Sequence, residues 1–113
     1  MVMDTVGCAP DWLKANPKAA QALANSYFQA LDMIKADPAK SYDIMGSAIK
    51  QTGEAFGKSA GYLRWQDKAA NQKFFAGEMQ QFMKEAAAIL LEAGVIRKLP
   101  DNYAAMYDDS FIK

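Results

Sequence analysis

Apolar residues recur at helical spacing soon after the start of the chain. Four of them follow one another at intervals of four, four and three positions, namely Leu23, Tyr27, Leu31 and Ile34. This period places them on one face of an α-helix. Asn16 and Pro17 precede the stretch, and an Asx N-cap followed by proline at the first helical position is typical of a helix start. We therefore predict a helix from Pro17 to about residue 36, with this stripe buried.

The next segment repeats the same start signal in Asp37 and Pro38. Its apolar stripe consists of Tyr42, Met45 and Ile49. This pattern predicts a second, shorter helix joined to the first almost without a loop. Beyond it, glycines at 53, 57 and 61 each weaken a helix by about 1 kcal/mol relative to alanine. For residues 52–61 we therefore predict no more than one frayed turn, around Phe56.

A long apolar pattern follows residues 62–65, which at most form a short extended segment. Asp67 is typical of an N-cap. The apolar residues at helical spacing after it are Phe75, Met79, Phe82, Ala86, Ile89, Leu90 and Ala93. Gly77 is a candidate break or kink within this helix. Gly94 is placed to end it as a left-handed C′ residue, with Val95 packing back on Leu90 as in a Schellman motif.

The tail beyond residue 99 combines turn signals with apolar side chains. Leu99-Pro100-Asp101 marks the exit from the long helix. Tyr103, Met106 and Tyr107 indicate a short turn, and Phe111-Ile112 need a surface to lie on. The sequence thus predicts a mainly α fold, helical over residues 10–113.

Composition narrows the class of protein. The chain has 113 residues, of which 51% are hydrophobic and 23% charged, so it is expected to fold as one small domain or as part of a larger one. Thirteen basic residues balance thirteen acidic ones, which argues against nucleic-acid binding. The chain has no histidine, and charged residues interrupt every apolar run before the ~18 residues that span a bilayer. We expect a soluble protein without a metal site or cofactor.

Few residues offer chemistry, and each has a simpler structural role. The adjacent carboxylates of Asp108 and Asp109 are typical of a solvated turn, and Cys8 has no histidine to activate it. Asp67 and Asn71, four positions apart with Arg64 nearby, can grip a polar ligand, although capping by Asp67 is the simpler interpretation. Trp12 and Trp65 have wide apolar faces suited to a pocket wall, with buried packing as the alternative. The residues alone indicate no active site.

Two blocks of sequence resemble a known family. The first is Ala9-Pro10-Asp11-Trp12-Leu13 with Asn16-Pro17, then Ala30-Leu31-Asp32-Met33-Ile34 with Asp37-Pro38. The second is Asp67, Asn71 and Phe75, then Ala93-Gly94-Val95-Ile96-Arg97-Lys98 and Asp109-Ser110-Phe111. Together they resemble the C-terminal portion of periplasmic substrate-binding proteins of the nitrate/sulfonate/taurine ABC importer group, over nearly all of the chain.

The resemblance implies a fragment of a two-lobe, type II periplasmic-binding-protein fold. It implies no enzymatic activity, but capture of a small ligand of the sulfonate, nitrate, bicarbonate or pyrimidine type. The full protein would deliver this ligand to an ABC transporter permease after export to the periplasm. The resemblance also implies a hinge-like extended segment at 1–9, in which a hinge near Val6 to Pro10 would absorb the lobe closure. Trp12 and Trp65 are the ligand-side residues that we select.

Two other functions are compatible with the sequence. The chain can be a free-standing helical interaction module in which Leu23, Tyr27, Leu31, Phe82 and Ile89 form a bundle core. The apolar surface that the bundle core leaves uncovered would then mediate formation of a homo-oligomer. A third and more remote interpretation is an enzyme that uses Asp108, Asp109 or Cys8.

Overall fold

The computed structural model describes residues 3–113, and within this range the chain is helical with no β-strand. The α-helices are α1 (Pro10–Ala15), α2 (Pro17–Ala36), α3 (Pro38–Ala48), α4 (Gly53–Ala60), α5 (Lys68–Lys73) and α6 (Met79–Glu92). A π-helical segment, Phe74–Glu78, joins α5 to α6, and two 3-10 turns, Tyr103–Met106 and Ser110–Ile112, follow. The mainly α class is therefore confirmed. Of the predicted hinge-like segment at 1–9, residues 1 and 2 lie outside the described range, and residues 3–9 have no regular secondary structure.

Side-chain caps start three of the helices. The backbone N–H of Lys40 donates to Asp37 at the start of α3 (3.0 Å), and that of Ala70 donates to Asp67 at the start of α5 (3.0 Å). Each bond satisfies an N–H that has no partner within the first helical turn. Both caps were predicted. The third, in which the N–H of Ala55 donates to Thr52 Oγ1 (3.2 Å), starts α4.

Asn16 has a different role from the predicted one. Its side chain makes no cap bond to α2, although α2 does begin at Pro17. Its Nδ2 and its backbone N–H both donate to the carbonyl of Trp12, at 3.0 and 2.8 Å, and so they close α1. Helix α1 itself was not predicted, because six residues are too few to show an apolar period.

Helices α3 and α4 form a tightly packed hairpin, and here the prediction of one frayed turn was wrong. Gly46 of α3 is buried where the chain returns, and a Cβ at this position would lie 2.8 Å from the carbonyl oxygen of Thr52. The ring of Tyr42 packs beside Phe56 of α4, with 5.9 Å between the ring centroids. The Thr52 cap and these contacts offset the helix-weakening effect of the glycines.

Helix α5, the π-helical segment and helix α6 follow one another without a non-helical residue between them, so they form one long helix. Gly77 lies inside the π-helical segment, at the place where a break or kink was predicted. The helix ends in the predicted Schellman motif, since Gly94 has a φ of +71° and the N–H of Val95 donates to Leu90 O (2.9 Å). The N–H of Gly94 donates to Leu91 O (3.0 Å) and completes the motif.

The last 3-10 turn, Ser110–Ile112, connects α2 with the long helix that begins with α5. It packs against both α2 and α5. Gln21 Nε2 of α2 donates to the Phe111 carbonyl (2.8 Å), and Gln72 Nε2 of α5 donates to the Ile112 carbonyl (2.9 Å). Phe111 and Ile112 are half-buried there, so the tail has the surface that its apolar residues required.

The core is small and the surface is large. The buried apolar residues are Ala20, Leu31, Ala60, Met79 and Ala87. The accessible surface is 8684 Å², against about 6,100 Å² for a folded monomer of this mass. The radius of gyration is 16.9 Å, against about 13 Å for a compact domain of this length. The helices thus form an open array.

This openness corrects the predicted core. Of the four stripe residues of α2, only Leu31 is buried, whereas Leu23 and Tyr27 are exposed and Ile34 is half-buried. Ile49 and Ile89 were also expected inside and are exposed. The physical reason is that helical spacing shows which residues share a face, but not whether a neighbouring element covers that face.

Candidate functional site

A small depression lies beside Trp65. It has a volume of about 80 Å³ and is lined by Leu31, Ile34, Lys35, Trp65 and Asp67. The last two turns of α2 supply three of these residues, and the segment that leads into α5 supplies the other two. Trp65 keeps 38% of its surface exposed. Trp65, one of the two predicted ligand-side residues, thus forms a wall of an apolar depression, and its contact with a ligand stays a prediction.

A charged pair closes one side of this depression. Lys35 Nζ lies 3.2 Å from Asp67 Oδ2, and both side chains are well exposed. The N–H of Ala70 and the Lys35 ammonium both stabilise the carboxylate and lower the pKa of Asp67 below its ordinary value. The pair leaves Asp67 ionised and already satisfied, so the carboxylate works as a helix cap and a link between α2 and α5.

The size of the depression limits what it can hold. Pockets for small organic ligands usually have about 300 to 1,000 Å³ and bury most of the ligand. The depression beside Trp65 is several times smaller. It therefore forms one wall of a larger site at most, and a second wall must come from another surface.

A wider groove runs between α3 and α4, with a volume of about 300 Å³. Its lining includes the ring of Tyr42 and two carboxylates, Asp43 and Glu54. Glu54 is also paired with Lys58 at 2.8 Å on the exposed face of α4. No buried polar side-chain atom of the described residues lacks a hydrogen bond. The groove carries no sign of a specific ligand.

Trp12 lies far from Trp65. It is on α1, 40% exposed, next to the N-terminal end of α2. Leu31, which lines the depression beside Trp65, lies about 22 Å further along α2 at about 1.5 Å per residue. The structure therefore does not bring the two predicted ligand-side tryptophans into one pocket.

The other candidate residues are occupied by local bonds. Asn71 Nδ2 donates to the carbonyls of Gln66 and Asp67 rather than facing a ligand. Asp108 accepts from the N–H of Ser110 (2.9 Å), and the bonds to Ser110 lower the pKa of Asp108. Asp109 lies 3.4 Å from Lys113 Nζ. The two carboxylates are thus part of the terminal turn, as their position in a polar turn suggested.

Residues 3–113 contain no cluster of acidic or cysteine side chains with the geometry of a metal site. Cys8 is a free, exposed thiol. In the same range no helix combines the length and the apolar character needed to cross a bilayer.

Sequence reasoning missed the partners of Trp65. Leu31 and Ile34 were placed on a core stripe, and Lys35 was not singled out. The spacing of Leu31 and Ile34 shows that they share a face, but it does not show which loop covers them. Lys35 and Asp67 are 32 positions apart, so only the fold reveals their pairing.

No protein-family model, curated protein or solved structure matches this chain. The resemblance to substrate-binding proteins therefore rests on the motifs of the sequence, and the function is argued from these motifs together with the geometry described above.

Proposed function

We propose that the chain is the helical C-terminal portion of a solute-binding protein that captures a small ligand for an ABC importer. The observation that carries this proposal is the excess of surface, about 2,600 Å² above that of a folded monomer of this mass. Half of the residues are hydrophobic, but few of them are buried. The chain is therefore suited to packing against further protein.

The positions of the family-like motifs support the proposal. Asn16-Pro17 and Asp37-Pro38 begin α2 and α3, and Gly94 ends α6 with a left-handed residue. Phe111, in the last of these motifs, is half-buried at the junction of α2 and α5. These motif residues thus lie where a helix begins or ends or where two helices join, which fits a role in the closing helices of a larger fold.

The proposed mechanism is ligand capture by closure of two lobes. The segment from Val6 to Pro10 runs from non-helical chain into α1 and would absorb the backbone change. The depression beside Trp65 supplies one apolar wall, and the facing lobe would supply the other wall and the polar groups that select a sulfonate, nitrate, bicarbonate or pyrimidine ligand. Trp12, at the other end of α2, would lie beside the hinge. The full protein would work in the periplasm and deliver its ligand to the permease.

The first test is the size and compartment of the native product. Cells that produce the protein are fractionated and immunoblotted with an antibody against this chain. We expect a periplasmic band far above 12.4 kDa. A cytoplasmic band at the mass of the chain itself would refute the proposal and favour the free-standing helical module.

The second test asks whether Trp65 contacts the ligand. In the full-length protein, Trp65→Ala should weaken binding of the cognate ligand about tenfold or more by titration calorimetry. Tyr62→Ala is the matched control, because Tyr62 belongs to the same segment but is 93% exposed and lines no depression. Equal affinities of the Trp65 variant and the unchanged protein would show that Trp65 does not contact the ligand.

A further inference from the structure

The helices of the described chain form two units. Helices α1 to α4 pack on their neighbours in the chain, and so do α5, the π-helical segment, α6 and the turn Tyr103–Met106. These groups are called here the N-terminal unit and the C-terminal unit. Within residues 3–113, no helix of one unit is closely packed on a helix of the other. The radius of gyration of 16.9 Å, which is large for a chain of this length, agrees with this separation.

One segment lies against both units. It consists of residues 110–113, called here the latch, and its 3-10 turn packs on both α2 and α5. On the α2 side, Gln21 Nε2 donates to the carbonyl of Phe111 (2.8 Å). The same Nε2 donates to Asn25 Oδ1, one turn further along α2 (3.0 Å). Because an amide nitrogen has two hydrogens to donate, the bond to Asn25 orients the Gln21 side chain and leaves a donor for the latch.

The latch accepts two further bonds on the α5 side. Gln72 Nε2 donates to the carbonyl of Ile112 (2.9 Å), and Lys68 Nζ donates to the carbonyl of Lys113 (3.1 Å). Lys68 and Gln72 are four positions apart and therefore share one face of α5. These two bonds are exposed to water, which competes for both the donors and the acceptors. The latch can therefore release while the helices on either side stay formed.

The segment between the two units is suited to act as a hinge. Residues 61–66 are not helical, and Tyr62 is 93% exposed. The ion pair of Lys35 and Asp67 lies just beyond this segment, and both of its side chains are well exposed, so it holds the units together only weakly. A short non-helical segment between two packed units can absorb the backbone rotation that accompanies their separation.

We propose that the latch holds the two units in the closed arrangement described here, and that its release opens them about a hinge at residues 61–66. In the closed arrangement, the amides of Gln21 and Gln72 fix the latch between α2 and α5. In the open arrangement each unit keeps its helices, and Trp65 separates from its neighbours on α2. The proposal concerns a movement of the chain itself and does not depend on the proposed transport function.

Replacement of both glutamines by glutamate tests the latch. Gln21→Glu with Gln72→Glu keeps the size of each side chain, but at neutral pH it removes the N–H donors and leaves only acceptors. The matched control is Gln51→Glu with Gln81→Glu, which adds the same charge elsewhere. Gln51 lies between α3 and α4, and Gln81 bonds to Glu85 within α6. Far-UV circular dichroism should show unchanged helix content in both variants.

Spin labels on the two units measure their arrangement. Cys8 is the single cysteine of the chain, so Cys8→Ser removes the native thiol. Lys18→Cys on α2 and Lys84→Cys on α6 then attach one label to each unit at an exposed position. Double electron–electron resonance should give one narrow distance in the labelled chain and in its control variant. The variant at Gln21 and Gln72 should lose this narrow distance and show a broad distribution that extends to longer distances.

The exposure of Trp65 gives a second measurement. In a chain that carries Trp12→Phe, acrylamide quenching of fluorescence reports on Trp65 alone, because the chain has two tryptophans. Quenching should increase in the variant at Gln21 and Gln72 and stay unchanged in the control. A narrow distance that survives in this variant, a broad distribution in the chain with both glutamines, an equal effect of the control, unchanged quenching, or loss of helix content would each overturn the proposal.

Discussion

The two glycines at positions 46 and 77 should respond in opposite ways to the same substitution. In both cases Gly→Ala improves helix propensity by about 1 kcal/mol. At Gly77 a new Cβ meets no atom within 4 Å, so the gain should be realised in full. At Gly46 the new Cβ would meet the carbonyl oxygens of Thr52 and Gln51 at 2.8 and 3.0 Å. These are backbone atoms of the turn into α4, which cannot rotate away as a side chain does.

The magnitudes follow from these distances. Overpacking of this kind usually costs about 1 to 3 kcal/mol. After subtraction of the propensity gain, Gly46→Ala should destabilise the chain by up to about 2 kcal/mol, while Gly77→Ala should stabilise it by about 0.5 to 1 kcal/mol. The predicted difference between the variants is thus about 2 kcal/mol.

Urea unfolding followed by circular dichroism at 222 nm, a wavelength that reports helix content, measures both changes. With a slope of about 1 kcal/mol/M, the midpoints of the two variants should differ by about 2 M and lie on either side of the unchanged chain. The chain should be kept dilute, so that self-association does not contribute to the midpoint. A Gly46→Ala variant as stable as Gly77→Ala would show that the α3–α4 turn is not closely packed and would refute the reasoning.

Three further predictions concern burial, backbone and charge. Leu31→Ala, at a side chain only 4% exposed, should cost about 2 to 3 kcal/mol in urea unfolding, and Leu23→Ala on the exposed side of α2 less than about 1; equal losses would contradict the observed burial. Gly94→Ala should lower the free energy of unfolding by about 1 kcal/mol in thermal melts, because φ is +71° there, and an unchanged melting temperature would argue against the left-handed cap. The pKa of Asp67 is lowered in the fold, so its stabilising effect is present above the ordinary value of 3.8 and is lost as the pH falls through the lower folded pKa. Asp67→Asn keeps a capping side chain and should reduce the loss of stability below about pH 4; urea midpoints that fall equally steeply in both proteins would be inconsistent with this.

The sequence predicted the parts of the fold that depend on local chemistry. Asp37 and Asp67 cap helices because the donor lies three residues away, and Gly94 ends a helix because its own backbone takes the left-handed conformation. Helix α4 was missed because its stability comes from contacts with α3, which propensity does not report. Leu23 was expected in the core because a helical period shows which residues share a face, but not whether a neighbour covers that face.

The candidate site was predicted only in part. Trp65 was selected for its indole face and does line a depression, whereas Trp12 lies at the other end of α2. The partners of Trp65 on α2 lie 30 or more positions earlier in the chain. Pairings at such separation depend on the paths of two loops, and a single sequence contains no periodic signal for them.

The contact between Gln21 and Phe111 also determines the order in which the chain can fold. The two residues are 90 positions apart, so their contact is among the slowest to form by loop closure and becomes available only after almost the whole chain has been synthesised. The α3–α4 hairpin depends on neighbours within about twenty residues and can form while translation continues. The bond from Gln21 Nε2 to the Phe111 carbonyl would therefore be among the last to form, whereas the bond from the same amide to Asn25 Oδ1 is local to α2 and can form early.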